Sequence, residues 1–344
     1  MLTKRKLSGL LHNKKFYVLL AVFVLIIVYP IIDRSAFTLR VLTLVTVFAI
    51  YASSWNLLAF SGQGSLGHAA FLGIGGFVSS LVAVNLGLPP LFGLLVGGLF
   101  AAGIGVLIGL ACVRLKTWFL AMVTFGFSVI AVAIISALDP ITHGTLGFPP
   151  PLLVPSGLPF YLLTVSVATL SVVTTYLIMK SKLGLAFKAI RENELEARMI
   201  GIHTAKYKLL AFAISTFFAG IAGSLYVQTQ GYVDSSVFSA DNSFKPLMMS
   251  VIGGLGTIEG PIIGSSIIVA IDTFLPNVDS FIQPVLHPLF PAVSAVGPPL
   301  RLAALGLFLI LVVIFLPKGV ASLLPKVYDF FREEPKKVKT NGSK

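Results

Sequence analysis

What most restricts this chain is its spacing of apolar runs, each about as long as a lipid bilayer is thick. A helix needs roughly 20 mostly apolar residues to cross the hydrocarbon core. Runs of that kind lie at 16–32, 41–60, 67–86, 91–113, 117–137, 158–179, 209–228 and 300–316. A ninth apolar region, 243–275, is broken in its middle by Gly-Gly-Leu-Gly-Thr-Ile-Glu-Gly-Pro. Lipid admits only structures that satisfy their own backbone, and runs without two-residue alternation satisfy it as helices. The expected fold is an all-α polytopic membrane protein with about 8–10 transmembrane helices, some of them Gly-interrupted or re-entrant.

Composition agrees. Charged residues make up 11% of the 344 and mean hydropathy is +0.96, whereas soluble domains carry roughly a quarter charged residues. The single cysteine, Cys112, excludes a disulfide framework and a cysteine-built metal site. The five histidines, at 12, 68, 143, 203 and 287, lack ligand spacing, so no metal is expected. The run at 16–32 follows Met-Leu-Thr-Lys-Arg-Lys but has no small-residue cleavage site, and it reads as a retained first helix.

Basic residues orient the spans. Of the 25 Lys and Arg, all but Arg34, Arg40, Lys245 and Arg301 fall in four regions: residues 1–15, the turn at 114–116, the island 180–208, and the tail 318–344. With both termini cytoplasmic, all four lie inside. The chain then divides into a basic tail (1–15), a membrane domain (16–317) holding the island, and a second basic tail (318–344). The net charge of +12 thus belongs to a membrane face: lipid headgroups are the expected partner, and nucleic acid is not. Parity requires the broken region to begin and end outside, as two short spans or a re-entrant hairpin with Gly253–Gly260 at its inner tip. Residues 138–157 carry no Lys or Arg and several prolines, which suits a stiff irregular outer loop.

The island 180–208 reads as two short helices. Ser181 can cap the first, whose Leu183, Phe187 and Ile190 fall on one stripe. Asn193 and Glu196 resemble a capping box that starts a second, and Gly201 is placed to end it. A solvated connecting loop and a docking surface for a soluble partner both suit this composition.

Two glycine-rich stretches open the apolar background. Residues 61–76 carry Gln63, Ser65 and His68, with Asn56 shortly before them. These four are candidates for a translocation path, because buried polar groups in membranes are expensive; close helix packing is the competing explanation. Ser65 lacks the glycine two residues earlier that a nucleophile elbow needs, which disfavours an intramembrane hydrolase. The second stretch is the hairpin tip: Gly253, Gly254, Gly256, Glu259, Gly260 and Pro261. Interrupted helices in both halves suit a transport site; Glu259 suits an interfacial turn acid or a proton-coupling group. Asp272 is expected near the outer boundary, and no charged group is expected at the membrane midplane. No glycine is followed by lysine, so this chain has no Walker loop and binds no nucleotide through one.

Three blocks carry a resemblance: Gly62-Gln63-Gly64-Ser65-Leu66-Gly67-His68-Ala69-Ala70-Phe71; Leu183 to Glu194 with Gly201-Ile202; and Gly253-Gly254-Leu255-Gly256-Thr257-Ile258-Glu259-Gly260-Pro261. In order and spacing, from about residue 40 to 317, they resemble the inner-membrane permease of the branched-chain amino acid ABC importers. The resemblance implies a multi-pass plasma-membrane subunit, not an enzyme, working with a second homologous permease, two ABC ATPase subunits and an extracytoplasmic solute-binding protein. It implies no cofactor on this chain, with ATP bound by the partner ATPases. Cargo in the family includes leucine, isoleucine and valine; relatives carry urea, amides or other amino acids. Residues 181–202 become the coupling element. Arg191, Glu194 and Glu196 are its charged positions toward the ATPase, and Ile190, Ala197 and Ile202 would seat an apolar groove. Of the importer pattern E-A-A-x-x-x-G, only Ala197 and Gly201 are kept. The alternatives are a stand-alone carrier or channel and, more remotely, a membrane enzyme.

Overall fold

A computed structural model describes residues 29–30, 33–113, 115, 117–144, 146–274, 297–317 and 319–323. The apolar run at 16–32 and both basic tails lie wholly or largely outside these residues. The described elements are α1 (Ala36–Phe60), α2 (His68–Asn85), α3 (Pro90–Cys112), α4 (Thr117–Ala137), the short α5 (Asp139–Thr142), α6 (Leu158–Lys180), α7 (Lys182–Glu192), α8 (Glu194–Met199), α9 (Thr204–Gln230), α10 (Ala240–Gly253), α11 (Glu259–Phe274) and α12 (Gly297–Phe315). Six of them (α1, α2, α3, α4, α6 and α9) are long and apolar enough to cross a bilayer. All six coincide with runs read from the sequence.

The broken region resolves into a hairpin of two short helices. α10 has 14 residues and α11 has 16. At 1.5 Å per residue each is about 21–24 Å long, short of the roughly 30 Å hydrocarbon core. The legs touch through glycine: a Cβ on Gly253 would lie 1.7 Å from Gly260 O, and one on Gly264 1.8 Å from Met249 O. α10 also contains Pro246, which supplies no N–H to the carbonyl of Asn242. That carbonyl accepts instead from the phenol of Tyr51 on α1, at 3.0 Å. A buried carbonyl without a partner would be costly, so α1 completes the hydrogen bonding of α10.

α9 is the most buried of the described spans. It packs on α1, α2 and α3 through small residues: Gly75 meets Gly220, and a Cβ on Gly223 would lie 1.8 Å from Leu72 O. Such close backbone approach substitutes for the hydrophobic drive that lipid does not provide. Trp118, Phe119, Met122, Leu107 and Leu110 are exposed on α3 and α4 and suit a lipid-facing surface. The expected outer loop is irregular apart from α5, and it is tied to the segment after α9 by paired backbone bonds between Phe148 and Val233 (3.0 and 2.9 Å).

Candidate functional site

Local chemistry builds the island as expected. Ser181 Oγ accepts from the Leu183 amide at 3.1 Å and starts α7. Asn193 Oδ1 accepts from the amides of Leu195 (3.0 Å) and Glu196 (3.3 Å), and its Nδ2 donates to Glu196 Oε1 at 2.6 Å. Both halves of the cap are present, although the glutamate takes the side-chain amide rather than the backbone N–H. Gly201, at φ 87°, turns the chain out of α8. Phe187 and Ile190 are buried, and Phe187 packs with Leu57 and Ala211.

α7 brings the two glycine-rich stretches together. The Arg191 guanidinium lies 5.4 Å over the Phe60 ring at the end of α1. A Cβ on Gly62 would sit 3.0 Å from Arg191 Cα, and one on Gly256 2.8 Å from Arg191 Nη1. Asn56 spans the remaining gap. Its Nδ2 donates to Thr257 O at 2.7 Å, and its Oδ1 accepts from the Gly256 amide at 2.8 Å. The Asn56 amide therefore ties α1 to the turn between α10 and α11 (Gly254–Ile258), which Thr257 Oγ1 also braces by donating to Gly254 O at 2.8 Å. Glu259 and Gly260 open α11 beside this turn, with Pro261 buried.

The other expected path residues also face protein. Gln63 Nε2 donates to Lys208 O and to Ser61 Oγ, both at 2.9 Å. His68 Nε2 meets Ser54 Oγ at 3.0 Å. Ser65 Oγ and His68 Nδ1 are buried without a hydrogen-bond partner. None of Asn56, Gln63, Ser65 and His68 lines either of two cavities the fold contains. The interruption between α1 and α2 frees backbone groups in the interior, and these side chains help to fasten the segments around it.

The end of the bundle away from α7 holds a cluster that the sequence reading missed. Lys245 Nζ lies 2.9 Å from Asp241 Oδ2 and 3.3 Å from Asp272 Oδ2, with its side chain 8% exposed. It also lies 5.4 Å over the Phe48 ring. These groups border a cavity of ≈ 350 Å³. Lys245 and Asp272, each expected near the outer boundary, are paired across the legs of the hairpin. Asp241 and Lys245, four apart on one helix, were the signal available beforehand. Among the described residues, no group of three His, Cys, Asp or Glu is placed to hold a metal.

Residues 37–316 match the family described as "Branched-chain amino acid transport system / permease component". The chain belongs to this permease family. It is 30% identical over 272 residues to the high-affinity branched-chain amino acid transport system permease protein LivM of Escherichia coli (strain K12), covering 70% of this chain and 63% of that one. Against the LivM of Salmonella typhimurium it is 29% identical, with the same coverage. It is 24% identical to the autoinducer 2 import system permease protein LsrC of Yersinia pestis (strain Pestoides F), covering 77% of this chain and 78% of that protein. The chain thus spans a little under two thirds of the LivM relatives' length. No solved structure matches it significantly. This member of the permease family is a multi-pass protein of the cell membrane.

In this permease the exposed side of the island differs from the expected one. Ile190 and Ala197 are buried, at 4% and 2% exposure, and cannot seat a partner's groove. Their apolar stripe closes on the permease's own bundle. The apolar side chains that do face outward are Leu185, Leu195, Met199 and Ile200. Ile202 keeps an intermediate position, its amide bonded to Ala197 O at 3.0 Å, and it borders an open groove of ≈ 520 Å³ with Arg198, Gly201 and His203. Glu196 is exposed, and Arg191 and Glu194 are partly so. Glu194 binds Arg198 and Lys208 and accepts from Thr204 Oγ1 at 3.1 Å. Burial raises its pKa, but the contacts to Lys208 and Arg198 outweigh that and hold the carboxyl below the usual glutamate range.

Proposed function

We propose that the chain is the permease subunit of an ABC importer, passing branched-chain or related amino acids through the plasma membrane. ATP is bound and hydrolysed by two partner ATPase subunits, so this chain is not itself an enzyme and carries no cofactor. A second, homologous permease completes the pathway, and an extracytoplasmic solute-binding protein delivers the cargo. The observation that carries the reading is the family match across residues 37–316, joined to a capped helix pair whose outer face is apolar and exposed. Such a pair is built to be gripped. The names of the LivM relatives suggest branched-chain amino acids as cargo.

The island's joint with the bundle suggests the mechanism. A push on α7 and α8 reaches the turn after α1 and the hairpin tip through Arg191, and reaches α9 through Lys208. Asn56 links the same tip to α1. The pair works as a rigid lever, and closure of the ATPases switches the pathway between outward and inward openings. Ser65 and His68 each keep one polar atom unoccupied. These are the groups from the expected path that can meet solute or water when the helices part.

The test is uptake of radiolabelled leucine into proteoliposomes containing the permease pair, the ATPases and the binding protein. Uptake should need ATP and every subunit. Leucine movement through this chain alone, without ATP, would replace the importer with a stand-alone carrier.

A further inference from the structure

The start of α2 is sealed inside the bundle. His68, Ala69, Ala70 and Phe71 form its first turn, and all four are fully buried. Gly67, the capping residue, offers no side chain to the free amides of that turn. Two side-chain atoms here have no protein partner: Ser65 Oγ and His68 Nδ1, each on a residue at 0% exposure.

The other nitrogen of His68 fixes what Nδ1 has to be. Ser54 Oγ lies 2.7 Å from Tyr51 O and 3.0 Å from His68 Nε2. A serine hydroxyl has one proton, and so short a contact with a carbonyl uses it. Ser54 therefore accepts from His68, so Nε2 carries the ring proton and Nδ1 is a bare lone pair. A second proton, on Nδ1, would leave an unpaired charge in the membrane interior. Nδ1 thus requires a donor, and the donors around it are committed. The Tyr51 phenol, whose ring lies 5.3 Å from the imidazole, donates to Asn242 O. Trp55 Nε1 donates to Ser65 O, and Thr124 Oγ1 to Ala121 O. Ser171 and Thr175 on α6 are also buried without partners, but they differ in kind. Turning χ1 lets each hydroxyl reach a carbonyl one turn back, as Thr164, Thr169 and Thr174 do. An imidazole held at its other nitrogen has no such freedom.

We infer that the break between α1 and α2 is a binding site for a buried water, held by His68 Nδ1 and Ser65 Oγ at the first turn of α2. The lone pair asks for a donor, and the positive end of a helix asks for an acceptor. Water supplies both. An anion has no proton for Nδ1, and an ammonium group is repelled by the helix start. Buried waters take such places, bonding polar groups that the protein leaves unpaired. The site rests on the importer reading only in its consequence: parting of the helices exchanges a resident water instead of opening a dry contact. His68 serves there as an acceptor and carries no proton.

The test is water-edited solid-state NMR on the full chain in lipid bilayers, with isotope-labelled histidine and methionine. His68→Gln and Met249→Leu assign the two signals that are compared. In the unaltered chain the His68 ring should be neutral and protonated at Nε2, and water magnetisation should reach it. It should not reach the Met249 methyl, which is equally buried but lies in the apolar core. Ser65→Ala should abolish the transfer to His68 and keep the tautomer. Protonation at Nδ1, a His68 ring as dry as Met249, or undiminished transfer in Ser65→Ala would overturn the site. The tautomer and the water transfer of the unaltered chain decide the outcome if a variant misfolds. No transport enters these measurements, so the site and the importer reading fail separately.

Discussion

The two ends of the helix bundle use their polar groups in opposite ways. At the end bearing α7 and α8, amides and a guanidinium are spent on fastening: Asn56 on the hairpin turn, Gln63 on the carbonyl of Lys208, Arg191 against Phe60. At the other end a lysine and two aspartates border open space. In the proposed lever the first end transmits and therefore has to be stiff. The second keeps room beside its charges. The hairpin α10–α11 joins them, with its tip at one end and its charged legs at the other.

If that division holds, the hairpin tip is where substitution does most damage. A methyl group on Gly253 would lie 1.7 Å from Gly260 O, too close for any rotamer adjustment to relieve. Gly253→Ala should cost about 3 kcal/mol or more, at the upper end of overpacking effects, read as thermal unfolding in detergent. Gly103 on α3 has nothing within 4 Å of its Cβ position, so Gly103→Ala should stay within about 0.5 kcal/mol of wild type or gain slightly. Equal effects at the two positions would mean that the legs are not in contact.

Lys245→Met comes next. Removing one partner of a dry buried pair costs roughly 3–5 kcal/mol. Here the cavity admits water to the two carboxylates, whose side chains are 31% and 16% exposed, so about 2–3 kcal/mol is expected. Adding Asp272→Asn should recover part of the loss, because it lowers the negative charge that Lys245 no longer offsets. A double variant less stable than Lys245→Met would show that the two residues do not act as a pair. Asn56→Ala follows at about 1–2 kcal/mol, since it strands one half-buried backbone donor and one half-buried acceptor. In the proposed lever the tip transmits, so the variant should also reduce transport more than it reduces substrate binding.

The two ends were not equally legible in the sequence. The caps at Ser181 and Asn193 and the exit at Gly201 are decided by neighbours within a few residues, and they could be read directly. The hairpin followed from span length and parity. Its supports did not: Tyr51 completing the turn around Pro246 links positions far apart in the chain, as does Lys245 with Asp272. The stripe at Ile190 shows a different failure. An apolar stripe states that something will cover it but not what, and here the cover is the bundle itself. The residues left outward, Leu185, Leu195, Met199 and Ile200, become identifiable only once the inner face is known.

The smallest effect belongs to Glu194, and its sign can be worked out in full. Lys208 and Arg198 hold its carboxyl below the ordinary glutamate value of 4.5 in the folded chain, against the opposing pull of burial. A folded value below the unfolded one means that the ionised form is what the fold favours. The contribution is complete above the unfolded value and is lost as pH falls through the lower, folded one. The side chain is 32% exposed, so solvent screening keeps the contribution under about 1 kcal/mol. Wild type and Glu194→Gln should therefore differ in thermal stability by a small, constant amount at neutral pH, and the gap should close only in acid below about 4.5. A gap that changes through neutral pH would assign the titration to another group. No gap at any pH would mean that Glu194 does not fasten α8 to α9, leaving Arg191 and the buried stripe of Phe187 and Ile190 to attach the island to the bundle.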